Sequence, residues 1–323
     1  MALVLDLFRL IGGVGLLYFG AEWLVRGAAG LARAFGVRPL VVGLTVVAYG
    51  TSAPEFVVSA LAALEGKSAI ALGNVVGSNI ANVGLILGVT ALIAPPRVDP
   101  ALIRREVPVL VVSAALVPLT LIDGVISRTE GALLFLGAIA FTWVMVRTAK
   151  AVNPSTEFGE QVKAEVPQSA ELSKPALAAL AAVGLLVLVG GGKVFVDGAV
   201  ALALAVGMSE RLVGLTIVAV GTSLPELAAS VVAARRGHSA IAIGNVVGSN
   251  IFNVLLILGG AATVSPISGR LSTMTVDLVG LGVLTLAGAF FMAGDRVIVR
   301  REGGLLVGLY GLFLAALVLM PAA

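Results

Sequence analysis

The sequence predicts an all-α polytopic membrane protein with ten transmembrane helices in two inverted five-helix repeats. Hydrophobic residues make up 59% of the 323 positions and charged residues only 12%, whereas an average protein is roughly 25% charged. The mean hydropathy is +1.09, and apolar stretches of about 20 residues, enough to cross a bilayer core, recur along the chain. A third observation, an internal repeat, sets the arrangement of the helices.

The repeat is nearly identical in its two copies. Residues 43–88 and 214–259 align without a gap at an offset of 171, and by direct count 32 of the 46 aligned residues are the same. Self-similarity of this kind indicates a duplicated structural unit. Each copy places one glutamate in an apolar segment and follows it with a run rich in Asn, Gly and Ser.

Ten apolar segments are predicted to span the membrane. In order they are 3–31, 40–64, 69–93, 106–122, 129–148, 176–205, 212–234, 240–264, 275–293 and 304–320. The long polar segment 149–174 separates the fifth from the sixth and is typical of a linker. The chain therefore divides into a first repeat at 1–148, the linker 149–174 and a second repeat at 175–323.

An odd number of spans in each half requires the second half to be inverted relative to the first. With the N-terminus outside, 15 of the 21 Lys and Arg residues fall in inner loops, and positive charge concentrates on the cytoplasmic side of membrane proteins. The loop after the glutamate helix also changes sign, from Glu65 in copy one to Arg236 in copy two. We expect a multi-pass inner-membrane protein with a cytoplasmic linker.

Composition excludes several other classes of protein. The chain has no cysteine and one histidine, His238 in a loop, so thiolate sites, histidine metal centres and most acid–base chemistry are removed. The basic residues are scattered and form no surface that could follow a nucleic acid backbone. We therefore expect a transporter, not an enzyme.

Two charge pairs upstream of the repeated core also align at the offset of 171. Glu22 aligns with Lys193, and Arg26 aligns with Asp197. Glu22 and Arg26 are four residues apart on one helix, and so are Lys193 and Asp197 on another. We therefore expect an ion pair within each helix.

The first repeated motif reads GTSAPE in copy one and GTSLPE in copy two. Pro54 has no N–H and its ring clashes with the carbonyl four residues back, so we expect the helix to break near Gly50. Broken helices occur at membrane depth where they are buried or line a cavity. Na⁺ and Ca²⁺ prefer oxygen ligands, and the two copies supply them from the carbonyls of Ala48 and Ala219, the hydroxyls of Thr51 and Thr222, and the carboxylates of Glu55 and Glu226.

The second motif reads GNVVGSNIAN in copy one and GNVVGSNIFN in copy two. Its G-x-x-x-G spacing lets helices approach closely. Neutral oxygens recur at i, i+4 on one face as Ser78 with Asn82, and as Ser249 with Asn253. Four further asparagines are as consistent with locking the helices together as with meeting an ion, namely Asn74, Asn79, Asn245 and Asn250.

Interrupted helices at equivalent points of two inverted halves indicate a transport site near the bilayer midplane. Two carboxylates there carry a charge of −2, which one Ca²⁺ or two monovalent ions would neutralise. Bare carboxylates at the midplane are costly, so reorientation is favoured when the charge is compensated. Competition for one shared site gives antiport.

These paired motifs resemble the α-repeats of the cation/calcium exchanger superfamily, specifically its prokaryotic sodium/calcium exchanger-like branch. The resemblance covers the whole chain and implies ten helices with four ion sites at the centre. It implies a calcium site at Glu55 and Glu226 with Thr51, Thr222 and the carbonyls of Ala48 and Ala219, flanked by sites at Ser78, Asn82, Ser249 and Asn253. Asn253 stands where certain relatives carry Asp, which disfavours potassium dependence.

The sequence-based hypothesis is a Na⁺/Ca²⁺ antiporter that works by alternating access, with the long first and sixth helices sliding past a rigid core. The alternative is a Ca²⁺/H⁺ antiporter that uses the same glutamates, because burial can tune a carboxylate to titrate near neutrality. We expect no covalently bound cofactor; the ions carried are Ca²⁺ and Na⁺. The expected partners are the lipid bilayer and small cations, with no nucleic acid and no protein partner, in a monomer.

Overall fold

The computed structural model describes residues 2–149, 172–207, 219–294 and 296–319, and this part of the chain is almost entirely helical. The predicted linker 149–174 lies largely outside the described residues. The helices are α1 (Ala2–Phe35), α2 (Pro39–Thr51), α3 (Ala53–Leu64), α4 (Ser68–Ile93), α5 (Pro100–Thr120), α6 (Arg128–Arg147), α7 (Lys174–Ala205), α8 (Leu224–Arg235), α9 (Ser239–Val264), α10 (Thr275–Ala293) and α11 (Arg300–Leu319).

Seven of these helices are long and apolar enough to cross a membrane, and the bent pair α2–α3 makes eight. The prediction of a helical, multi-span membrane protein is confirmed. Of the two remaining predicted spans, one is α5, whose second turn carries Arg104, Arg105 and Glu106. The other, 212–234, lies partly outside the described residues.

The two motif helices form the centre of the bundle. Helices α4 and α9 are buried over most of their length, whereas α1, α6, α7, α10 and α11 are buried over a third of theirs or less. Each motif helix contains a π-helical segment, at Asn82–Leu87 and Asn253–Leu258. Such wider turns occur often at functional sites, and here each begins at a predicted site asparagine.

The long helices α1 and α7 pack along each other through glycines. A Cβ on Gly184 would overlap the backbone of Leu24, and one on Gly27 would lie 2.6 Å from the backbone nitrogen of Ala181. Both helices end at a left-handed glycine, Gly36 at φ 62° and Gly207 at φ 88°, a common way to end a helix. These glycines are 171 residues apart, so the repeat extends to helix ends.

Short backbone pairings join loops from the two halves. Strand β1 (Val125–Ile126) pairs antiparallel with β2 (Ile267–Ser268), and the N–H of Ser268 donates to Ser68 Oγ at 3.1 Å. A single antiparallel bridge joins Arg97 to Val297. Since α5 runs from residue 100 to residue 120, the two pairings lie at opposite ends of it.

One of the two predicted intrahelical ion pairs is confirmed. Lys193 Nζ lies 3.1 Å from Asp197 on α7. The predicted Glu22–Arg26 pair is wrong, because Glu22 binds Arg236 at the end of α8 instead, with Nη2 at 2.7 Å and Nε at 2.9 Å. Helix α1 packs along α8, and this brings Arg236 to Glu22.

Candidate functional site

The first helix break separates α2 from α3 at Ser52, with a bend of 48°. It comes two residues after the predicted position at Gly50. Pro54 lies in the first turn of α3, where a missing N–H costs nothing. The N–H of Ser52 still reaches the Ala48 carbonyl at 3.0 Å, so that carbonyl keeps a backbone partner, and Thr51 Oγ1 faces the same oxygen at 3.5 Å.

The second break has the same construction. A helical turn at Ala219–Gly221 is followed by Thr222 and Ser223, and α8 then begins with Pro225 in its first turn. Here the N–H of Ser223 donates to the Val220 carbonyl at 3.1 Å. The copies therefore break their helices at equivalent positions.

Each break is followed by a buried glutamate in the first helical turn. Glu55 is 2% exposed and Glu226 is 1% exposed. Ser52 Oγ donates to Glu226 Oε1 at 3.1 Å. The break in the first half thus contacts the carboxylate of the second half, and the N-terminal end of each helix favours negative charge there.

Asn74 and Asn245 hold each glutamate helix to its motif helix. Asn74 Nδ2 donates to the Glu55 carbonyl at 3.1 Å and to Ser59 Oγ at 2.8 Å. Asn245 Nδ2 makes the same two contacts in the other copy, to the Glu226 carbonyl at 3.3 Å and to Ser230 Oγ at 3.0 Å. Of the two interpretations open for these asparagines, the structure favours the helix lock.

Further hydrogen bonds cross between the halves. Thr51 Oγ1 donates to Asn245 Oδ1 at 3.2 Å and shares its proton with the Val47 carbonyl of its own helix at 3.1 Å. Asn253 Nδ2 donates to Asn79 Oδ1 at 3.0 Å. The site residues Thr51, Glu226 and Asn253 are therefore tied directly to the opposite half of the chain.

Several buried oxygens around these contacts have no hydrogen-bond partner among the described residues. Buried polar atoms are nearly always satisfied, so unpartnered oxygens that recur in the two motifs indicate where an ion could supply the missing contacts. Apart from Thr90 Oγ1 and Glu106 Oε2, the unpartnered side-chain oxygens of the described residues belong to the repeated motifs: Glu55 Oε2, Glu226 Oε2, Asn82 Oδ1, Ser249 Oγ, Asn253 Oδ1, Asn250 Oδ1 and Ser223 Oγ.

For the remaining predicted residues, the structure gives burial and position along the helix. Ser78 is 5% exposed and lies one turn before Asn82 on α4. Thr222 is partly buried and follows the turn that contains Ala219. Within the described residues, no three His, Cys, Asp or Glu side chains gather as a metal-binding group. The candidate site therefore consists of two carboxylates among neutral oxygens.

Sequence reasoning overlooked the serines of this site. Ser52 and Ser223 precede their glutamates by three residues in both copies, and Ser59 and Ser230 follow them by four. Three-residue and four-residue spacing places these hydroxyls on the glutamate face of the helix. Their repetition at the offset of 171 was the signal that could have found them.

A membrane-embedded helical bundle with carboxylates buried at paired helix breaks has the architecture of a secondary transporter. The chain belongs to the family described as sodium/calcium exchanger protein, which matches residues 5–147 and 176–319. This confirms the resemblance seen in the motifs. The family is one of exchangers, not of enzymes.

Individual relatives agree with this membership. The chain is 38% identical to the inner membrane protein YrbG of Escherichia coli over 80% of this chain and 79% of that one. It is 32% identical to the sodium/calcium exchanger MaX1 of Methanosarcina acetivorans over 95% of this chain and 97% of that one. A solved structure of the sodium-calcium exchanger NCX_Mj superposes with a TM-score of 0.83 at 33% identity, covering 97% of this chain and 99% of that one.

Proposed function

We propose that the chain is an antiporter that exchanges Na⁺ for Ca²⁺ by alternating access at one central site containing Glu55 and Glu226. The contact between Ser52 and the Glu226 carboxylate carries the proposal, because it joins the break of one half to the acid of the other. Two carboxylates give a charge of −2. One Ca²⁺ or two Na⁺ would neutralise it, so the ions compete and the transport is coupled.

The ligands are taken from both halves. Thr51 and Thr222, with the carbonyls of Ala48 and Ala219, complete the calcium site around the two glutamates. The neutral oxygens flank it and would hold Na⁺ without adding charge. These flanking ligands are Ser78, Asn82, Ser249 and Asn253. Unpartnered oxygens on Asn82, Ser249 and Asn253 support this assignment.

The proposed topology has ten helices in two inverted repeats, 1–148 and 175–323, joined by a cytoplasmic linker at 149–174 with the N-terminus outside. The loop pairings support it. The bridge between Arg97 and Val297 joins two loops that charge places inside, and the β1–β2 pair joins two loops that charge places outside. A location in the inner membrane fits the relative YrbG, named as an inner membrane protein.

The driving ion is tested by calcium uptake into proteoliposomes that contain the purified chain. Uptake under an imposed Na⁺ gradient, absent under a proton gradient of equal size, is the expected result. Liposomes with the Glu55→Gln variant provide the matched control and should show no uptake under either gradient. Uptake driven by protons alone would replace the proposal with the Ca²⁺/H⁺ alternative, in which the same glutamates carry protons.

A further inference from the structure

Four charged residues outside the ion site occupy equivalent positions in the two repeats with opposite sign. Glu22 on α1 aligns with Lys193 on α7, and Glu65 after α3 aligns with Arg236 after α8, all at the offset of 171. Among these four residues, a charge of one half can therefore attract only a charge of the other half. Glu22 would repel Glu65, and Lys193 would repel Arg236.

Only one of the two possible cross-half pairs is formed in this structure. Arg236 binds Glu22 through two nitrogens, at 2.7 and 2.9 Å, a bidentate geometry that is stronger than a single contact. The equivalent Lys193–Glu65 pair is absent. Lys193 instead lies 3.1 Å from Asp197, and Glu65 lies 2.7 Å from Lys67.

Helix packing has the same asymmetry as the ion pairs. Helix α1 packs along α8, whereas α7 has no comparable packing along α3, although α3 and α8 are equivalent segments of the repeat. The difference therefore involves whole helices and not only the rotamers of four side chains.

The two long helices are built to move together. A Cβ on Gly191 would lie 2.8 Å from the backbone nitrogen of Leu17, and one on Gly184 would lie closer still to that of Leu24. Interdigitated backbones of this kind resist sliding past each other. A shift of α1 away from α8 would therefore carry α7 toward α3.

We propose that Glu22–Arg236 and Lys193–Glu65 are alternating ion-pair latches, which hold the α1–α7 pair in the two opposite states of the transport cycle. This rests on the proposed alternating-access function and adds to it four positioning residues that never contact the ion. In the opposite state Lys193 binds Glu65, and Glu22 turns back to Arg26 on its own helix, as Lys193 now turns back to Asp197.

The latch that is closed here lies on the cytoplasmic side in the proposed topology, because Arg236 belongs to an inner loop. The open latch lies outside, because Glu65 belongs to an outer loop. The structure therefore corresponds to a state closed toward the cytoplasm at this contact. When the Glu22–Arg236 pair opens and the Lys193–Glu65 pair forms, the closed side changes from the cytoplasmic to the outer side.

Cysteine cross-linking tests the latches directly, since the chain has no native cysteine. One double variant carries Glu22→Cys with Arg236→Cys, and the other carries Lys193→Cys with Glu65→Cys. Each is treated in proteoliposomes with a short bifunctional thiol reagent, in Na⁺-rich and in Ca²⁺-rich buffer. A cysteine pair at Asp6 and Arg9, within one helix, monitors the reagent.

Both pairs should cross-link, and conditions that raise the yield of one should lower the yield of the other. The Asp6–Arg9 control should not change. If Lys193→Cys and Glu65→Cys never cross-link, or if both yields rise and fall together, the alternating latch is wrong.

A charge variant tests whether the Glu22–Arg236 ion pair shifts the equilibrium between the two states. Glu22→Gln added to the Lys193→Cys, Glu65→Cys background should raise the cross-linking yield of that pair by roughly 1.4-fold to fivefold, the range expected for an exposed ion pair. Arg9→Gln in the same background is the matched control on α1 and should leave the yield unchanged. An unchanged yield with Glu22→Gln would show that the pair does not bias the two states.

These measurements separate the latch from the transported ions. Reciprocal cross-linking with no Na⁺-driven calcium uptake would contradict the proposed function and retain the latch. Normal Na⁺-driven calcium uptake without reciprocal cross-linking would contradict the latch and retain the proposed function.

Discussion

Replacing Asn245 by alanine should destabilise the protein more than replacing its counterpart Asn74. Asn245 is fully buried and makes three hydrogen bonds, to the Glu226 carbonyl, to Ser230 and from Thr51. Each contributes about 1 kcal/mol, so Asn245→Ala should lower the free energy of unfolding by about 3 kcal/mol. Asn74→Ala removes two bonds and should cost about 2 kcal/mol. Chemical unfolding of the purified variants in detergent measures both.

The extra contact of Asn245 is the one that joins the two halves, and a double-mutant cycle isolates it. Thr51→Val and Asn245→Ala, made singly and together, should give a coupling energy of about 1 kcal/mol. The same cycle between Thr51→Val and Asn74→Ala is the control and should give a coupling near zero. Equal costs for the two asparagines, or no coupling between Thr51 and Asn245, would refute the reasoning.

Two further predictions concern packing and pH. Gly184→Ala should destabilise by about 1–3 kcal/mol, because the added methyl overlaps the backbone of Leu24 and a packed interface cannot absorb it. Gly190→Ala on the same helix meets open space and should cost nothing; equal losses in chemical unfolding would contradict the close approach of α1 and α7. Burial and two neighbouring arginines lower the pKa of His238, so the unfolded state binds a proton more readily. The free energy of unfolding should then fall as pH drops through about 6.5, and His238→Gln should remove this component. If the free energy of unfolding has the same pH dependence in the wild type and in His238→Gln, this assignment to His238 is wrong.

The parts of the site that sequence could predict are those repeated in it. Two glutamates in apolar segments, each beside a proline and each followed by Ser and Asn at helical spacing, predicted the buried acids Glu55 and Glu226. The break falls at Ser52, two residues past Gly50 and near the predicted position, because Pro54 is accommodated in the first turn of α3 and Ser52 keeps its backbone bond to Ala48. Local sequence gives the presence of a break more reliably than its register.

Contacts between the halves could not be predicted in the same way. The spacing of Glu22 and Arg26 favours an intrahelical pair, yet packing of α1 along α8 supplies the better bidentate partner, Arg236. Likewise, no local pattern pairs Ser52 with Glu226 across 174 residues. Tertiary packing decides such contacts, and it differs between two copies with nearly the same sequence.

The central claim is that Glu55 and Glu226 form one calcium site and not two. Calcium binding to Glu55→Gln, Glu226→Gln and the double variant, measured by calorimetry in Na⁺-free detergent solution, tests it most directly. One shared site predicts that each single variant loses the calcium-binding signal completely and that the double variant loses nothing more. Half the wild-type binding capacity in each single variant, or normal affinity in either, would contradict it.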